Sequence, residues 1–224
     1  MIAVVADAAD REAAALVERW GPAGATLVTP ADLSRAGWVV EFPDAGPRFV
    51  AGGEVRMTAD LSGVVVRLPA VLPGHLPHIR RADRDYASAE MTAFLSYWLA
   101  ALRCPVISRP SPSFLLGVAW TNAQWLAAAA ASGLRVRSVS VTEGAAPAPG
   151  ELAWVTVVGD RSVGDDGPRG RAAVALARAG GAALLGVAFA AGGPTAAVVA
   201  VNARPPITCA VADALLDELG GTEP

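Results

Sequence analysis

From Ala182 onward the chain carries no charged residue until Arg204, and this run constrains the fold more than any other feature. It reads as two strands, Ala183–Ala190 and Ala196–Val201, joined by a turn at Ala191-Gly192-Gly193-Pro194-Thr195. Strands built from Val, Leu and Ala with no charge need cover on both faces, so other elements must be layered against them. Directly after the second strand come Asn202, Arg204 and the stiff pair Pro205-Pro206. Polar residues at a strand exit, set against rigid backbone, are where α/β proteins hold ligands.

The remaining composition narrows the function. A chain of 224 residues can bury a sizeable core as one large or two small domains. With 53% hydrophobic residues and a mean hydropathy of +0.41, it has apolar surface to spare for a partner. The net charge of −3 argues against a nucleic-acid protein, which needs a basic face. All 18 basic residues apart from histidine are arginine. The lack of lysine excludes a P-loop lysine, a Schiff-base lysine and a kinase-type lysine together. Cys104 and Cys209 form no disulfide framework, and a reduced cytoplasmic thiol pair is expected. The start of the chain lacks the pattern of a signal peptide. Gly192-Gly193-Pro194 interrupts the long apolar run, so no membrane span is expected.

Taken in order, the chain begins as strand Ile2–Ala6, a helix capped from Asp7 or Asp10, strand Thr26–Val28 and a short helix Pro30–Arg35. That alternation predicts a parallel sheet, without a dinucleotide G-x-G-x-x-G. Short strands follow at Trp38–Phe42, Arg48–Ala51 and Val55–Thr58, with Gly52-Gly53 as a hairpin turn. Leu61–Arg67 reads as a buried central strand, and the proline-rich 68–78 as a loop. The period predicts a long helix over Asp83–Arg103, with Tyr86, Met91, Phe94, Leu95, Trp98, Leu99 and Leu102 on its apolar stripe. Val106-Ile107 is a strand, and a helix capped by Thr121 or Asn122 runs to Ala131. Leu134–Thr142 alternates as a half-exposed strand, and Glu143–Gly150 is a linker. Strand Leu152–Val158, an acidic loop Gly159–Gly167, a helix Pro168–Ala179, the hairpin, and a helix near Thr208–Leu219 complete the chain.

Leu185-Gly186-Val187-Ala188 and Ala200-Val201-Asn202-Ala203-Arg204-Pro205 resemble the closing strands of the ATP-grasp ligases, which activate a carboxylate with ATP and join it to an amine. The resemblance extends to Tyr86–Glu90, to Val106-Ile107-Ser108-Arg109-Pro110, to Asn122–Leu126, Gly133–Val136 and Val141-Thr142, and to Glu151–Asp160. The peptide-modifying and amino-acid ligases are the branch it is most similar to. It implies a pre-ATP-grasp-like α/β domain over 1–119 and a reduced ATP-grasp-like α+β region over 120–224, with the linker at 143–150. It also implies substitutions: Ala188 for an Asp, Ala200 for a metal-binding Glu, Ala123 for a Lys and Ala153 for an Arg, with Asn202 kept. Where the family carries a nucleotide-covering subdomain, this chain has only residues 143–150, fewer than one hairpin needs.

Phosphoryl transfer needs cations on the phosphates and carboxylates on the metal. The expectation is therefore a non-catalytic binding or accessory subunit, with neither ATP nor magnesium as cofactor. It would partner itself or an active peptide-modifying enzyme. The alternative is a carboxylate–amine ligase completed by a partner subunit. Asn202, Arg204, Arg109, Arg67 and Arg81 are the candidate ligand-binding residues, suited by their guanidinium groups to a peptide or small carboxylate. His75 and His78 read as loop residues and not a metal pair. Cys104 reads as a structural thiol, and Asp160, Asp165 and Asp166 as turn and cap residues. Trp98, Trp120, Trp125 and Trp154 read as core or interface anchors.

Overall fold

A computed structural model describes residues 1–40, 46–112, 114–137, 152–190 and 196–220. They divide into two compact units: residues 1–116 together with the helix end from Leu219, and Gly117–Glu218.

The first unit is organised on β1 (Ile2–Val5), which carries α1 (Arg11–Arg19), β2 (Ala25–Val28) and the single turn of α2 (Pro30–Leu33). The Asp10 carboxylate caps α1 by accepting from Glu12 N and Ala13 N, a contact worth about 1 kcal/mol. Next come the hairpin β3 (Arg48–Ala51) and β4 (Glu54–Met57), then β5 (Gly63–Val66), α3 (Arg84–Ala101) and β6 (Val106–Ile107). Gly52 and Gly53 both have positive φ, +58° and +81°, which a two-residue hairpin turn requires. The main sheet has the order β2-β1-β5-β6, parallel throughout, as the strand–helix alternation implies. Its central strands β1 and β5 are buried at every position. Ala3, Val5, Val64 and Val66 point into a core shared with Leu95, Trp98 and Leu99 of α3. Trp38 closes that core edge-on, its ring 5.2 Å from Trp98 and 5.5 Å from Phe94.

The second unit carries α4 (Asn122–Ala131), β7 (Leu152–Val158), β8 (Arg161–Val163), α5 (Pro168–Gly180), β9 (Leu184–Ala190) and β10 (Val198–Asn202). The last helix, α6 (Cys209–Gly220), follows. This sheet is antiparallel with order β10-β9-β7-β8. Val155, Val157, Leu185, Val187, Phe189 and Val198 are buried together with Ala173, Leu176 and Ala177 of α5. β9, which lies between β7 and β10, is buried at all positions but its last, as its lack of charge demands.

Several expectations change. The segment Gly159–Gly167 is not a plain loop: Arg161–Val163 returns along β7 through a turn at Gly159 (φ +56°) and Asp160. Its single apolar residue hid the strand. Tyr86 was expected on the buried stripe of α3, yet it is 72% exposed. Val136 makes an isolated parallel bridge to Val198, while the rest of the expected strand, 138–142, lies outside the described residues. The 143–150 linker, the 191–195 turn and the end of Trp38–Phe42 also lie outside them. Within Trp38–Phe42, Val39 bridges Arg48.

Candidate functional site

The strand register of the second unit defines two faces. Residues directly opposite across an antiparallel pair share a face. Val155, Val187 and Val201 form one row on the helix side, and Ala153, Phe189 and Val198 another. The opposite face carries Trp154, Ala188 and Ala200 in line, followed by Thr156, Gly186 and Asn202. Ala153 therefore does not face the same side as Ala188; its neighbour Trp154 does. Successive side chains along a strand alternate between its two faces.

Three positions in line thus present an indole and two methyl groups. Trp154 is 47% exposed, whereas Ala188 is fully covered. A side chain added at Gly186 would lie 3.1 Å from Pro205 Cβ and 3.5 Å from Trp154 Cε3, so this part of the face is already occupied by those rings. Asn202 ends β10, and its Oδ1 accepts the backbone N–H of Arg204 at 2.8 Å. The Asn122 Oδ1 accepts Val201 N–H at 3.0 Å, tying α4 to the edge of β10. Arg204 is exposed beside the buried Pro205. Methyl and indole groups bring neither charge nor oxygen, so this row does not match the acids and cations that magnesium and triphosphate require. Among the described residues, no group of three His, Cys, Asp or Glu side chains gathers as metal ligands.

The other candidates, Arg67, Arg109 and Arg81, lie in the first unit. Arg67 is buried: its Nε donates to Asp10 Oδ2 at 3.0 Å and its Nη2 pairs with Glu12. Its charge is spent joining the end of β5 to the start of α1. Arg109 is exposed, and its Nη2 donates to the carbonyls of Leu102 (3.4 Å) and Cys104 (3.3 Å). Arg81 is exposed on the turn preceding α3.

His75 meets an acid that no local spacing reveals. Leu72 N–H donates to its Nδ1 at 3.0 Å, and its Nε2 lies 2.7 Å from Asp7 Oδ2. With Nδ1 accepting, Nε2 bears the proton, so both ring nitrogens are engaged and neither serves as a base. Burial pushes the Cys104 thiol up, partly offset by a backbone hydrogen bond and by Arg109. Cys209 is exposed.

Asp165 works as a clasp for α5. Its carboxyl is held below the usual value mainly by the Gly167 N–H donating to Oδ1 at 2.7 Å; burial opposes this, and Arg169 adds to the lowering. A depressed folded-state pKa adds stability above the ordinary carboxylate range, and this is lost as pH falls through the depressed value. Asp165→Asn should therefore cost stability at neutral pH by an amount that shrinks only as pH falls below about 5 and on through the depressed carboxyl value. Urea titrations at several pH values measure this, and a penalty independent of pH refutes it.

Comparison with known proteins identifies the fold. The sequence matches no protein-family model and no curated protein. Solved structures match end to end. The ATP-grasp ligase PsnB, complexed with a minimal precursor, superposes with a TM-score of 0.68 at 15% identity, over 97% of this chain and 98% of that one. The macrocyclase MdnC from Microcystis aeruginosa MRC, bound with precursor peptide MdnA, gives 0.68 at 10% identity, over 99% of both chains. A RimK domain ATP-grasp protein from Sphaerobacter thermophilus gives 0.53 at 18% identity, over 98% of this chain and 99% of that one. The fold is ATP-grasp-like, with the parallel sheet in the first unit and the antiparallel sheet in the second. Among the described residues, no helix is long and apolar enough to cross a membrane.

Proposed function

We propose that this chain is a non-catalytic relative of the peptide-modifying ATP-grasp ligases, an accessory subunit that binds peptide or protein instead of turning over ATP. The observation that carries the reading is the Trp154–Ala188–Ala200 row, which offers only apolar groups on one sheet face, Ala188 and Ala200 being the positions where the resemblance implies two acids. The sequence points the same way, having no lysine and only residues 143–150 where the family places its nucleotide cover. A transferring phosphoryl group is stabilised by charges set in advance, and an apolar row supplies none. PsnB and MdnC appear in complex with precursor peptides, which supports a peptide as the class of partner.

In this reading Asn202 and Arg204 form the polar end of the ligand surface, with the exposed indole of Trp154 beside the same sheet face. A guanidinium and an amide suit a peptide carboxylate, and an indole suits an apolar side chain. Arg81 and Arg109 are exposed basic residues of the first unit that a peptide could use, whereas Arg67 is engaged in its buried pair.

Calorimetry with Mg-ATP tests the reading. The expected result is no magnesium-dependent heat at nucleotide concentrations up to about 1 mM, which bounds any binding near or weaker than −4 kcal/mol. Micromolar binding that requires magnesium would return the chain to the working ligases.

A further inference from the structure

Where β5 and β6 begin, at the N-terminal edge of the parallel sheet, the first unit holds a cavity of about 440 Å³. Thr58, Leu61, Ala101, Leu102, Arg103 and Cys104 are among its lining residues. Leu61 and Leu102 are buried and give it an apolar floor. Size and make-up are those of a small-molecule site, mostly apolar with a few polar groups. The Thr58 hydroxyl is buried and has no hydrogen-bond partner among the described residues. Orphaned polar atoms of this kind are rare in folded proteins, and one beside a cavity is a hydrogen bond left for an occupant.

The charge in the lining has one sign. Arg103 is exposed, and among the described residues its guanidinium has no hydrogen bond or ion pair. No Asp or Glu is among the described lining residues. The carbonyl end of α3 forms one side and carries partial negative charge. Arg109 offsets it, because its Nη2 donates to the Leu102 and Cys104 carbonyls at 3.4 and 3.3 Å. The Cys104 thiol, pushed up by burial, stays neutral and adds no negative charge.

We propose that this cavity binds a small carboxylate with an apolar body, its chain or ring inside and its carboxylate on Arg103. The planar guanidinium fork matches a carboxylate with two parallel hydrogen bonds. A cationic ligand is repelled by both arginines, and a wholly apolar one leaves the Arg103 guanidinium unused. Arg67 follows β5 at the other end of that strand, so this cavity is separate from the buried Arg67–Asp10 pair. The inference uses the first unit alone and stands independently of whether ATP is bound.

Calorimetry on the full chain with octanoate and the uncharged 1-octanol tests it. Octanoate is expected to fill one site with a Kd below about 100 μM, and octanol to bind at least about tenfold more weakly. Arg103→Gln should weaken octanoate by about tenfold and leave octanol unchanged, because only the carboxylate uses the guanidinium. Ala101→Phe places a ring in the cavity and should abolish binding of both. Ala101 and Arg103 are exposed, so unchanged thermal unfolding will show that each variant is folded. In a Cys209→Ser chain, saturating octanoate should slow alkylation of Cys104 by neutral iodoacetamide by about fivefold or more. No saturable octanoate binding up to about 1 mM overturns the proposal. So does affinity that octanol equals, binding that survives Ala101→Phe, or alkylation that octanoate leaves unchanged.

Discussion

Replacing Arg67 with alanine is expected to destabilise the protein by about 3–5 kcal/mol, the cost of leaving a buried charge without its partner. The Arg67 side chain is 0% exposed and that of Asp10 4%, so the two charges meet away from water at 3.0 Å. Without the guanidinium, Asp10 loses this buried cation and keeps the backbone donors at the start of α1. Glu12 contributes less, because it is 41% exposed and screened by solvent. Arg67→Met keeps most of the volume and should lose nearly as much, which separates the charge effect from a cavity. Combining Arg67→Met with Asp10→Asn should then cost less than the sum of the single changes, since no uncompensated carboxylate remains. Urea unfolding of the four chains measures the coupling. Strict additivity, or a loss below about 1 kcal/mol for Arg67→Ala, contradicts a buried pair.

Gly170→Ala should destabilise by about 3 kcal/mol, the upper range for forcing a methyl group into a packed site. The added Cβ would stand 1.8 Å from the Asp165 carbonyl oxygen and 2.6 Å from Ser162 Oγ. The first of these belongs to backbone in the turn that Asp165 itself closes through Gly167. The start of α5 must then lift from β8, and Ala173, Leu176 and Ala177 lose their packing on the sheet. The sign is diagnostic. In an open helix the same change is favourable by about 1 kcal/mol. A neutral or stabilising result by thermal or urea unfolding means that the helix does not approach the turn this closely.

Much of the fold was legible locally. Alternation of strand and helix announced the parallel sheet, and the uncharged run announced the covered strand β9, whereas β10 is an edge strand half-buried at its last three positions. Capping was readable to within two neighbours each, Asp7 or Asp10 and Thr121 or Asn122; Asp10 and Thr121 start α1 and α4 because their side chains accept from amides two or three residues ahead. The site was legible only in part. Ala153, Ala188, Ala200 and Asn202 were named from the family resemblance, which did not record which of them share a face. The phase of a strand is settled by what lies across from it, and no residue within β7 records that.

Residues close in sequence thus determined the elements, because helical period, strand alternation and capping act over a few positions. The amino-acid list alone also determined that no lysine chemistry is open to the chain. Only the tertiary structure decided that Arg67 pairs with Asp10, 57 residues away. It alone set His75 on Asp7 and aligned an indole with two methyl groups across three strands. Charge pairing and cross-strand register depend on distance in space, and chain separation bears no relation to that distance until the core has closed.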